Sequence, residues 1–313
     1  MPGRTVPSEH LREFLKHLEL YSFEDISDEL RERGESVHPD TLKRIAEGEV
    51  ARTHPLATLP AVFFDVQAPE SLTDETIARQ AFLLHELISM ASRDERFGEL
   101  GVLIEVARCT YTVHRPSASE ITSAILDYLL AQTHIFQVRH GLAVTDDEDA
   151  RLEEEAKTLK RTLKLLKQSI EGFRVHMDED KQSFIEFFLV RAYEAHLYAA
   201  DALDDRMVHD GQPSELANAR ASAKWLHQIG AIELLLRNAE KTKRVVVAYN
   251  AAEMSGLADD KTQCEQAFDL AFCLHPPALD GTWTFPGLSA SPSAIEYLRD
   301  AFNAAMIKFI GLQ

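Results

Sequence analysis

Residues 22–49 read SFEDISDELRERGESVHPDTLKRIAEGE. Two short runs of apolar periodicity meet there across a glycine, and both runs have the period of a helix rather than of a strand. Ser22 and Asp25 have the spacing of an N-cap and a reciprocating acid three positions on, so a helix opens at SFEDISDELRERG. Gly34 ends it, because a residue without Cβ enters the left-handed region at no steric cost. Pro39 starts the next helix, since its missing N–H would have had no helical partner in the first turn. Ile26 and Leu30 form the inner face of the first run, Leu42 and Ile45 that of the second, and Gly48 is the stop.

Outward from this pair, apolar residues recur at three and four nearly everywhere. Leu11, Phe14, Leu15 and Leu18 make a helix before it, and THPLATLPAVFFDV one after it, with Leu56, Leu59, Val62 and Phe63 as its apolar side. Thr73 caps a long helix through Phe82, Leu83, Leu87 and Met90. ELGVLIEVARCTYTV and SASEITSAILDYLLAQTHIFQVRHG follow as a pair parted by Pro116, and VTDDEDA is a linker or a helix entry. Three further helical segments follow: SFIEFFLVRAYEAHLYAADALDD, ELANARASAKWLHQIGAIELLLRNAEK and AAEMSGLADDKTQCEQAFDLAFCL. KRVVVAY has strand propensity but no partner strand, so it joins a helix. AIEYLRDAFNAAMIKFIGL closes the chain. The expected fold is all-α, an N-terminal helix-turn-helix domain followed by a larger multi-helix part. Its expected divisions are residues 1–70, 71–145, a long amphipathic helix over 146–178, and 179–313.

The clearest period lies in that long helix. Leu152, Ala156, Leu159, Leu163, Leu166, Ile170 and Phe173 alternate spacings of four and three, the seam of a coiled coil. Read that way, Leu152, Leu159, Leu163, Leu166, Ile170 and Phe173 hold two copies of the chain together. Glu155 at g then meets Lys160 at e of the partner. The same spacing also suits an amphipathic helix within an intramolecular bundle, which Leu165 off the seam favours.

Composition bounds the function. With 45% apolar and 27% charged residues in 313, the chain is long enough for two or three domains. It has no run near the roughly 18 apolar residues of a spanning helix, and no apolar leader opens MPGRTVPSEH. A cytoplasmic protein with no membrane partner is expected. Cys109, Cys264 and Cys273 lack CxxC spacing and read as reduced thiols. His10 with His17, and His134 with His140, lack the spacing of a metal pair on one helix face, so no metal or cofactor is expected. The net charge of −18 repels phosphates at long range, so any contact with nucleic acid must rest on a local surface.

The segment from Ser22 to Val66 resembles the lambda-repressor-like Xre family of helix-turn-helix proteins, and its spacing resembles most the branch typified by mycobacterial ESX-secretion regulators. The resemblance covers about the first 70 residues, a quarter of the chain. It implies that Thr41, Lys43 and Arg44 stand on the outward face of a recognition helix. His38 occupies the place of the usual serine cap. Arg44 is then suited to a bidentate contact with guanine, Thr41 to a thymine methyl or a phosphate, and Lys43 and Arg52 to phosphates. Two departures count against it. Residues 1–70 carry eight basic and fourteen acidic side chains, and Asp40 stands at the helix start, where a phosphate would approach.

The rest of the chain lacks GxSxG, P-loop and GxGxxG motifs, so an enzyme is not expected. Glu194, His196 and Asp201 fall in one helical segment and read as a solvated face, Glu194 and His196 being two apart. AAEMSGLADDKTQCEQAFDLAFCLHP resembles a single tetratricopeptide repeat, through Ala252, Cys264, Phe268, Ala271 and Pro276, with no repeat of it upstream. The leading expectation is a DNA-binding transcriptional regulator acting on double-stranded DNA as a homodimer, with a helical body that senses a protein or small-molecule effector. The alternative is an acidic adaptor or anti-repressor that keeps the helix-turn-helix shape for a protein partner. An enzyme ranks third, with the loop HPPALDGTWTFPGLSASPS carrying Trp283 and Phe285 over a pocket.

Overall fold

A computed structural model of the chain describes residues 22–32, 37–46, 72–141, 147–177, 182–207, 216–275, 300–304 and 307–308. Arg52, Gly34, Gly48, the helices expected before Ser22 and around Leu56, and the loop with Trp283 and Phe285 lie outside the described residues. Leu30 and Ile45 are described in backbone alone. Every regular element among the described residues is helical, as the periodicity predicts.

The chain divides into two compact units, residues 1–146 with 167–176, and residues 147–166 with 177–313. The first holds α1 (Phe23–Glu32), α2 (Pro39–Ala46), α3 (Asp74–Arg93), α4 (Phe97–His114) and α5 (Glu120–Arg139), with a 3-10 turn at Arg115–Ser117. Local chemistry sets the helix starts. Asp25 N–H donates to Ser22 Oγ at 3.1 Å and Ser22 N–H to the Asp25 carboxylate at 3.0 Å, a closed capping box. The Ser22 hydroxyl, which donates to the same carboxylate at 2.8 Å, and the Ser22 N–H hold the Asp25 carboxyl below its usual pKa. Thr73 accepts from Thr76 N–H at 3.3 Å, as expected, and Ser119 caps α5 in the same way. α3, α4 and α5 pack on one another in all three pairings.

The phase of α3 differs from the expectation. Its buried stripe is Ile77, Ala78, Ala81, His85, Ile88, Ala91 and Ser92, whereas Leu83, Leu87 and Met90 are exposed. Small side chains let α4 and α5 approach closely, so the larger leucines on the other side stay in solvent.

The long helix α6 (Glu148–Val175) is shared: its first part belongs to the second unit and residues 167–175 to the first. The division into units falls inside the helix, between residues 166 and 167. In the first unit Ser169 Oγ donates to the Ala124 carbonyl of α5 at 2.8 Å. A Cβ on Gly172 would stand 2.9 Å from the Ala124 Cβ, so only glycine fits that crossing.

The second unit continues with α7 (Gln182–Arg206), α8 (Ala217–Gln228), α9 (Ala231–Thr242), α10 (Val245–Leu257) and α11 (Lys261–Leu274). The segments starting at Glu215 and Ala251 are each broken where the sequence suggests one helix. Gly230 at φ 76° and Asp259 at φ 65° turn the chain through the left-handed region. KRVVVAY enters α10 as expected. α8 packs on α7, α9 and α10, and α11 on both α9 and α10, a pattern of neighbours and next-neighbours typical of stacked helix pairs.

The heptad seam is spent inside the chain. Leu159, Leu166, Ile170 and Phe173 are wholly buried within a single copy, and Leu152 and Leu163 are half-buried. The buried stripe is displaced to Glu155, Leu159, Thr162, Leu166, Ser169 and Phe173, another run of fours and threes. Glu155, the g position of that seam, accepts from Arg206 of α7 at 3.0 Å. Burial of this face within its own chain matches the packing of an amphipathic helix in an intramolecular bundle.

Candidate functional site

α1 and α2 pack against each other through Ile26, Val37 and Leu42, all buried. Ser27, itself buried in α1, donates to the Val37 carbonyl at 2.5 Å and so ties the first helix to the chain two residues before the second. Sequence reading missed this bond, because a serine mid-helix carries no sign of a partner ten residues away. At the start of α2 the His38 carbonyl accepts from Thr41 N–H at 2.9 Å and Leu42 N–H at 3.3 Å, closing the first turn. His38 Nδ1 accepts from Asp40 N–H at 3.3 Å, so the imidazole caps the start of α2.

Around that frame Lys43 and Arg44 are exposed, Thr41 is half-buried and His38 is exposed. Leu42 at zero exposure fixes the rotation of α2, which turns the two cations outward because they follow it by about 100° and 200° around the helix. Asp40, exposed beside His38, leaves the first turn acidic. The described part of the site is thus a small outward pair of cations on a short rod pinned by one buried leucine.

Other clusters resolve into structural roles. Glu194, His196 and Asp201 do not form a solvated face: His196 and Asp201 are buried in α7 and Glu194 is half-buried. The partners of Glu194 and His196, and of Glu186 on the same helix, lie on later helices. Glu194 accepts from Asn250 Nδ2 at 2.8 Å, Glu186 from Asn238 Nδ2 at 2.8 Å, and His196 Nδ1 pairs with Ser222 Oγ at 2.7 Å under the Trp225 ring. Asp204 accepts from Asn218 N–H at 3.0 Å and Ala219 N–H at 2.8 Å. It thereby caps α8 from another helix, where Leu216 offers no side-chain cap. Glu253 on α10 is pushed up to about 7 by burial first and by the Asp201 carboxylate second.

In the first unit Arg115 holds Asp127 through two bonds of 2.8 and 3.0 Å, and Arg108 binds Glu105 and Gln137 in the interior. The Arg115–Asp127 pair lines a cavity of about 500 Å³ with Glu120, Glu171 and Gly172, and its cation is already matched. Burial raises the thiol pKa of Cys109 and takes that of Cys264 to about 12. His140 pairs with Ser92 Oγ at 2.7 Å, a structural role.

Among the described residues no group of three or more His, Cys, Asp or Glu side chains is placed to hold a metal ion. Among them, too, no helix is long and apolar enough to cross a membrane. Comparison with known protein families, curated proteins and solved structures finds no match for this chain.

Proposed function

We propose that the chain is a transcriptional regulator that binds double-stranded DNA through α2. The observation that carries this reading is the outward pair Lys43 and Arg44 on a helix locked in rotation by buried Leu42 and tied to α1 by the Ser27–Val37 bond. A rod held this firmly presents side chains to a groove at low conformational cost, and arginine beside lysine offers one base contact and one phosphate contact. His38 and Thr41 flank the pair, and Arg52 adds a phosphate anchor in the Xre-like reading. The helical body serves as dimerisation and effector-sensing part.

Two copies reading one duplex need an interface other than the α6 seam. The exposed stripe Leu83, Leu87 and Met90 on α3 supplies it. In an antiparallel pairing of α3 with its copy, Leu83 faces Met90 and exposed Arg79 faces exposed Asp94, so apolar and charged positions both complement themselves. For that contact Arg79 exchanges its present bond to Glu75, and Asp94 its present pairs with Arg93 and Arg96.

Selection of a random duplex pool with the full chain at low salt tests the DNA reading. One enriched sequence is expected, with the preference at one base lost in Arg44→Ala. A pool that emerges unenriched, while a protein partner is retained at high salt, selects the adaptor reading in its place.

A further inference from the structure

The acidic balance of the chain leaves a question open: which surface supplies the phosphate contacts that two cations on α2 are too few to provide? From Ala156 to Ile170 the sequence carries five basic residues and no acidic one, within a chain of net charge −18. Lys157, Lys160, Arg161 and Lys164 of this run are all exposed on α6. At 100° per residue they fall within an arc of about 100°, on the side of the helix opposite Leu159 and Leu166, and span about 10 Å along its axis. The rigidity of this ridge comes from those two wholly buried leucines and from the Glu155–Arg206 bond at its N-terminal edge.

The pairing of the ridge is uneven. Lys157 leans back to Glu153 at 2.9 Å and Glu154 at 4.0 Å. Among the described residues no carboxylate forms an ion pair with Lys160, Arg161 or Lys164. In a protein with 51 acidic and 33 basic side chains, three neighbouring cations left unneutralised on one rigid face stand against the average. The face also lacks an anchor for a protein partner: the large apolar side chain exposed on α6 is Val175, about three turns beyond Lys164. Interfaces between proteins centre on buried apolar or aromatic anchors, whereas contacts with a phosphate backbone need no such anchor and draw much of their affinity from lysine and arginine.

We infer that the face of α6 formed by Lys157, Lys160, Arg161 and Lys164 is a second docking surface, one that binds the phosphate backbone of duplex DNA without reading its sequence. It rests on the regulator reading for the choice of polyanion and adds to it a source of affinity separate from the source of sequence preference.

The test measures binding of the full chain to a fluorescent duplex of about 30 base pairs by anisotropy, from about 50 to 200 mM salt. It compares wild type, Lys160→Ala/Arg161→Ala/Lys164→Ala and the charge-keeping Lys160→Arg/Lys164→Arg. Each neutralised phosphate contributes about 0.9 to the slope of log affinity against log salt, so the triple alanine variant loses up to about 2.7 of slope. It weakens on the order of 10²-fold at 0.1 M salt, while the arginine variant keeps the wild-type slope. Melting followed by circular dichroism stays unchanged in both variants, because alanine and arginine are good helix formers at exposed positions. A triple variant that keeps the wild-type slope overturns the ridge and leaves the regulator reading intact. Duplex binding that depends on the ridge but shows no sequence preference keeps the ridge and removes the regulator. Binding to phosphatidylserine vesicles in preference to duplex, lost in the triple variant, overturns the assignment to nucleic acid.

Discussion

Replacing Leu159 by alanine separates an α6 that holds its own chain together from one that holds two chains. Leu159 has zero exposure in a single copy. Truncation to alanine removes a transfer contribution of about 2.4 kcal/mol at about 0.8 per methylene. The cavity left behind adds to this, and fully buried leucines cost about 3 to 4 kcal/mol in all. Urea unfolding followed by circular dichroism at 222 nm reads the loss as a drop in midpoint of about 1.5 M, with a slope near 2 kcal/mol per molar. Light scattering on the same samples reports the mass of the folded protein. The expected result is lower stability at unchanged mass, because the leucine packs inside the protomer. A halved mass with an unchanged midpoint would refute the intramolecular packing of α6 and restore the seam between copies.

Three further outcomes follow from other contacts. Gly172→Ala brings a Cβ to 2.9 Å from the Ala124 Cβ and should cost about 1 to 3 kcal/mol, whereas Gly98→Ala, with nothing within 4 Å, should be neutral or gain up to about 1 kcal/mol; thermal melting compares the two, and equal effects would contradict the α5–α6 crossing. Glu253, pushed up to about 7 from an ordinary 4.5, holds its proton in the folded chain over a range where the unfolded chain releases it. Stability therefore falls as pH rises from about 4.5 to 7, by an amount on the order of a few kcal/mol, and Glu253→Gln flattens that limb and stabilises the chain above pH 7. Urea midpoints measured across this range that decline as steeply in Glu253→Gln as in wild type would exclude the Glu253 carboxyl as the cause. Leu83→Lys with Leu87→Lys leaves the core untouched and should turn dimers into monomers by light scattering at unchanged melting temperature; dimers that persist would exclude the α3 stripe.

Local signals were legible in the sequence, and distant ones were not. The capping box at Ser22 and Asp25, the cap at Thr73 and the proline start of α2 all act within four residues, so their partners stand beside them in the chain. The exposed pair Lys43 and Arg44 follows from the same local logic once Leu42 is taken as core. The carboxylates of α7 were not legible, because their partners Asn238 and Asn250 stand more than fifty residues on in the sequence. Polarity alone made Glu194 look solvated. In α3 two apolar sides competed, and the larger side chains misled. The run of alanines at 78, 81 and 91, with Ile77 and Ile88, marks the close-packed side. On α6 the leucine heptads carry the stronger periodic signal, while the five basic residues between Ala156 and Ile170, with no acid among them, mark no helix face until Leu159 and Leu166 are placed in the core.

The reactivity of Lys43 toward an amine-acetylating reagent, read by mass spectrometry with and without the selected duplex, tests α2 as the reading element most directly. Lys43 is exposed in the chain alone and should acetylate freely, then become protected at saturating duplex while Lys261, at the start of α11, stays reactive. Equal acetylation of Lys43 in the free and duplex-bound protein would contradict recognition through α2.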